Sequence, residues 1–141
     1  MTNLSEVFLA YVPYIALVTR VWLGGNMMIH GYPKLRNMKK TSEEMKQALG
    51  IPAIATYVAT VLEFFGGIFL IIGLIVPIVG LFFAIFMIAN VIMKKTKMKA
   101  AYIAHPSKPS YEIDITYLIL SIVLIVLGAG ALSIDSVIGL R

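Results

Sequence analysis

The sequence predicts an all-α integral membrane protein, a four-helix bundle with a short interfacial helix in its first loop, and three observations carry that prediction. Hydrophobic residues make up 60% of the 141 positions and charged residues 13%, with a mean hydropathy of +0.91. That balance belongs to chains whose solvent is lipid. Residues 7–19, 21–33, 47–62, 64–93 and 115–134 carry no charge at all. The basic residues, by contrast, gather in two loops. Lys34, Arg36, Lys39, Lys40 and Lys46 follow the first apolar stretch, and Lys94, Lys95, Lys97, Lys99 and Lys108 precede the last.

The first span is expected over residues 4–30. Glu6 stands where a signal peptide carries Lys or Arg, and the apolar region runs far past signal length, so the segment reads as a retained span. In the loop that follows, Thr41 and Glu44 have capping-box spacing, Gly50 and Pro52 close the segment, and Met45, Ala48 and Leu49 share a face. These mark the short interfacial helix. The second span is expected over 54–74 and the third over 77–93. A single helix over the uncharged run 64–93 would be roughly 45 Å long, too long for one upright crossing of a hydrocarbon core of about 30 Å. Gly73, Pro77 and Gly80 interrupt it, and Pro77 suits the first turn of a new helix. A fourth span is expected over 113–132. Four spans place all ten loop cations on one side and leave Arg141 opposite, where three would divide the loops, so the positive-inside rule puts both termini outside the cytoplasm of a plasma-membrane protein. The +5 net charge is thus a topology signal and gives no reason to expect nucleic-acid binding. The chain reads as a single domain, 1–141, with no room for a soluble one.

The absence of cysteine excludes disulfides, thiolate catalysis, thiolate-ligated iron–sulfur clusters and covalent haem attachment. No metal site is expected. Chemistry must come from polar residues set in apolar sequence. Arg20, Gly24, Met27, Gly31 and Lys34 fall on one stripe of the first span, with His30 beside it and Asn26 off it. Thr56, Ala59, Thr60, Glu63, Gly66 and Gly67 form a small, polar face on the second, of the kind that admits close helix approach. Measured from His30 and Ile54 as boundaries, Arg20 and Glu63 both lie roughly 14–15 Å deep, and a pair near the midplane is expected. Asp114, Tyr117, Ser121 and Gly128 share a face of the fourth span, with Glu112 at its start and Asn90 near the same boundary on the third. His30, Lys34, Asn90, Glu112 and Asp114 can therefore ring the cytoplasmic mouth of a polar cavity floored by Arg20 and Glu63.

These residues also carry a resemblance. TRVWLGGNMMIHGYPKL in the first span, LEFFGGIFLIIGL in the second and YEIDITYLILSIVLIVLGAGALSID in the fourth resemble the DoxX family of four-helix membrane proteins. Arg20, Gly31, Lys34, Glu63, Gly66, Gly67, Glu112, Asp114, Gly128, Gly130, Ser133 and Asp135 match that family's pattern in order. The resemblance implies a membrane subunit of a quinone-linked redox system, such as a thiosulfate:quinone oxidoreductase, working with a partner subunit or as a homo-oligomer. A quinone, as substrate or bound cofactor, or a small anion is then the expected ligand. Catalytic candidates are Arg20, His30, Glu63 and Asp114. Binding candidates add Asn26, Lys34, Asn90, Glu112 and Tyr117. Buried carboxylates and histidine suit proton-coupled electron transfer. The alternative is a non-catalytic membrane anchor or assembly factor whose buried charges hold the bundle and whose basic loops dock a partner or anionic lipid.

Overall fold

The computed structural model describes residues 3–140, and every regular element among them is a helix. The order is α1 (Leu4–Leu9), α2 (Val12–Arg36), α3 (Met38–Leu49), α4 (Ala53–Ile72), α5 (Val76–Thr96), α6 (Glu112–Leu127) and α7 (Ile134–Val137). α2, α4, α5 and α6 form an antiparallel bundle. Three segments, Leu4–Arg36, α4 and α5, are long and apolar enough to cross a membrane, and α6 is shorter at 16 residues. Arg141, expected as an outer charge, lies outside the described residues.

Several boundaries differ from those expected. The first span breaks at Ala10–Tyr11, because Pro13 has no N–H to give and its ring crowds the preceding turn, and α2 then runs six residues past His30. α3 begins at Met38 with Asn37 at its N-cap, so Thr41 lies inside the helix and makes no cap. α6 stops at Leu127, since Gly128 and Gly130 take φ of +66° and +72° and fold the chain back. The expected hairpin between the second and third spans is present, over Gly73–Ile75.

Packing is uneven around the bundle. α2 packs closely along α4 and α5 along α6, while the seams between α4 and α5 and between α2 and α6 are loose. Glycines set the α2–α4 register: a Cβ on Gly67 would sit 2.6 Å from the Gly24 carbonyl oxygen, and one on Gly31 would sit 2.9 Å from the Phe64 nitrogen. Only bare backbone allows helices so close. The core, built around Leu23, Leu70, Val76, Val79, Phe83 and Leu124, fills the half of the bundle nearer the α4–α5 turn. Outward positions such as Val18, Trp22, Ile29, Val58 and Ile85 are exposed apolar side chains, as a lipid-facing surface requires. The two basic loops meet at the other end, where Lys97 Nζ donates to the Leu49 carbonyl at the end of α3.

Candidate functional site

The half of the bundle nearer the basic loops encloses a cavity of about 540 Å³, within the range of ordinary ligand pockets. Met27 and Met87 separate it from the core, and Thr41, Met45 and Leu49 of α3 lie along it from the loop side. Its polar lining includes His30, Lys34, Thr56, Thr60, Glu63, Asn90, Lys94, Asp114 and Tyr117. Much of the rest is Met and Ala, including Met93, Met98, Ala55, Ala59 and Ala89. Unbranched thioether side chains give an adaptable apolar wall.

Two ion pairs are built into that lining, one in each close helix pair. Lys34 Nζ donates to Glu63 Oε2 at 2.6 Å, joining α2 to α4, and Lys94 Nζ donates to Asp114 Oδ2 at 2.6 Å, joining α5 to α6. Helix geometry explains both. A side chain tilts toward its own helix's N-terminus, so in an antiparallel pair a lysine near the end of one helix and a carboxylate on the other lean toward each other. The carboxylates are 5% and 8% exposed and the lysines 35% and 28%, so the acids are fixed in the walls and the ammonium groups remain accessible. Thr56 Oγ1 also lines the cavity and is buried with no hydrogen-bond partner among the described residues.

The expected Arg20–Glu63 pair does not form. With Gly24 level with Gly67, Arg20 lies four residues beyond that level and Glu63 four residues short of it, an offset of about 12 Å. The same tilt that brings Lys34 to Glu63 points Arg20 and Glu63 apart. Arg20, 1% exposed, instead donates through Nη2 to the Leu132 carbonyl beside the α4–α5 turn. It is therefore not the floor of the cavity. There Gly73, at φ +72°, closes α4, and a Cβ at that position would run into the guanidinium and Ser133. Asp135 completes the cluster. Its Oδ1 and Oδ2 accept from the Ile75 and Val76 amides at 2.6 and 3.0 Å, and its own amide donates to the Gly73 carbonyl at 2.9 Å. A carboxylate at the start of α5 also meets the positive end of the helix dipole.

Of the other candidates, His30, Lys34, Glu63, Asn90, Asp114 and Tyr117 line the cavity. Asn26 and Glu112 do not. Asn26 Nδ2 donates to Trp22 O at 2.8 Å on its own helix, and Glu112 is an exposed acid in the first turn of α6. Sequence reasoning misses Lys94, which it counts only as a topology charge, and Asp135, which it takes only as part of a family pattern. The antiparallel tilt rule applied to residues 94 and 114 flags the first. The α7 start, where Ser133 Oγ accepts from the Ser136 amide, is a cap signal that flags the second.

Comparison with known proteins places the chain in a family. The DoxX family model matches residues 15–95, from α2 through nearly all of α5. The protein named "Putative oxidoreductase CatD" from Bacillus subtilis (strain 168) is 31% identical over 119 residues, covering 84% of this chain and 83% of its own. No solved structure matches significantly. A family match over more than half the chain, and a relative of that similarity along most of both lengths, make this protein a member of the DoxX family.

Proposed function

We propose that the protein is the membrane subunit of a quinone-linked redox system in the plasma membrane, with the cavity between its two helix pairs receiving the quinone headgroup. The observation that carries the proposal is the presence of two lysine–carboxylate pairs in one largely apolar cavity. Reduction of a quinone to its quinol takes two electrons and two protons, and each pair can serve one oxygen. The ammonium group donates to the oxygen as negative charge develops, and the neighbouring carboxylate relays a replacement proton. The chain has no cysteine to hold an iron–sulfur centre, so the electrons come from a partner subunit. The name of the Bacillus relative supports a redox role.

Glu63→Gln and Asp114→Asn test this in a complex that stays assembled. Each keeps size and removes the proton relay, so quinone reduction falls by about tenfold or more while assembly persists. Unchanged turnover and unchanged quinone content in both variants would instead make the pairs a means of holding helix register, and the protein an anchor. The orientation is part of the proposal: with the basic loops in the cytoplasm, cysteines introduced as Lys39→Cys and Lys97→Cys label only from that side. Labelling from opposite faces would overturn it.

A further inference from the structure

We infer that the tail of a lipid-borne quinone enters and leaves through the loose seam between α4 and α5, at a portal framed by Ala59 and Ala89. This rests on the quinone reading of the cavity and adds the route, and with it the class of ligand: a headgroup carrying a long apolar tail. α4 and α5 are joined by a tight turn, yet they touch over little of their length, in contrast to the close α2–α4 and α5–α6 pairs. Ala59 and Ala89 lie fifteen residues on either side of Leu74, so in an antiparallel hairpin they face each other about 22 Å from the turn. Both line the cavity, and Ala89 is exposed. Small side chains thus stand on both sides of the seam at the level where the cavity lies behind it.

The depth of that gap selects its occupant. Ala59 is six residues into α4, which places it about 9 Å from the helix end and inside the hydrocarbon layer. Its neighbours Val58 and Leu62 on α4 and Ile85 and Ile88 on α5 are exposed apolar side chains, so a molecule passing between the two alanines passes from lipid. A small water-soluble anion has no favourable path there. A tail lying in the gap exchanges one apolar surrounding for another, while the headgroup it tows reaches the polar wall.

The test uses the full-length protein in nanodiscs with two probes, menadione, which has no tail, and a menaquinone carrying an isoprenyl tail. Ala59→Trp and Ala89→Trp fill the gap, and Val58→Trp adds the same bulk on the adjacent lipid-facing position. Retention of the tailed quinone falls by at least about tenfold in the first two variants, several-fold more than menadione binding falls in the same variants, while both probes bind Val58→Trp near wild type. If the gap-filling variants bind both probes as wild type does, or lose both equally, the portal is wrong and the quinone reading stands on the wild-type binding. If wild type binds neither probe, the quinone reading fails and takes the portal with it. A photoreactive group on the tail decides the matter on unmodified protein should either tryptophan variant not fold. Adducts within residues 53–63 and 85–93 support the portal, and adducts confined to α2 and α6 overturn it.

Discussion

The two ends of the bundle handle buried charge in opposite ways. At the α4–α5 turn, Arg20 and Asp135 engage backbone: the guanidinium the Leu132 carbonyl, the carboxylate two amides at the start of α5. The core, rather than a cavity, lies beside them. At the basic end, Lys34 pairs with Glu63 and Lys94 with Asp114, Lys94 adding a longer bond to the Ser110 carbonyl, and a cavity lies between the pairs. Charges that bind backbone tie elements together, because the main chain cannot turn away from them. Charges that bind side chains leave a polar surface that a ligand can rearrange. On the proposed function, the difference separates a structural end from a chemical one, although both ends hold basic and acidic side chains.

Substitutions at the turn test the structural half of that contrast. Gly73→Val forces a β-branched residue into left-handed backbone and drives it against Arg20 and Ser133, so thermal unfolding in detergent registers a loss of about 3 kcal/mol or more. A loss comparable to that at an exposed position would mean the end is not closed. Next comes Gly67→Leu, which separates α2 from α4 at their closest approach and costs about 2 kcal/mol by the same measurement. Smaller still is the coupling at the chemical end. A double-mutant cycle of Lys34→Met and Glu63→Met gives an interaction of about 1 kcal/mol, because the lysine is partly solvated, whereas the cycle of Arg20→Met and Glu63→Met gives additivity. The reverse result would restore the midplane pair and erase the contrast. Lys97→Ala removes the tie to the end of α3 and changes global stability by about 0.5 kcal/mol or less. Its signature is faster hydrogen exchange in α3 alone, and uniform exchange would remove that helix from the cavity's roof.

Much of this layout is legible in the amino-acid sequence. Uncharged runs bounded by lysines mark the helices, Gly73 and Pro77 mark the hairpin, and the faces of residues 27, 30 and 34 and of 56, 60 and 63 are read from helical spacing. Partnership is harder, because it depends on register between helices. Taking His30 as the membrane boundary shortens α2 by six residues and brings Arg20 level with Glu63. The register instead follows from the contact of Gly24 with Gly67, a tertiary fact that spacing within one helix does not contain. Lys94 is hidden for a related reason: a lysine at a helix end serves topology in any case, and its bond to Asp114 emerges only once α5 and α6 are set side by side. Asp135 acts across 60 positions of sequence, on amides that any hairpin would own.

That last distance bears on how the molecule is made. Ile75 adopts φ +46°, a conformation that a β-branched residue avoids when left to itself, and the groups that hold it there come from Asp135. During synthesis the turn emerges some 60 residues ahead of its clamp, so α4 and α5 are made before the carboxylate that fastens their connection. The clamp is complete only when α6 has been made and the chain has folded back through Gly128 and Gly130 to deliver the carboxylate. Biogenesis therefore has a built-in final step, and a chain cut short before Asp135 carries the α4–α5 pair of helices without the fastening that makes them one unit.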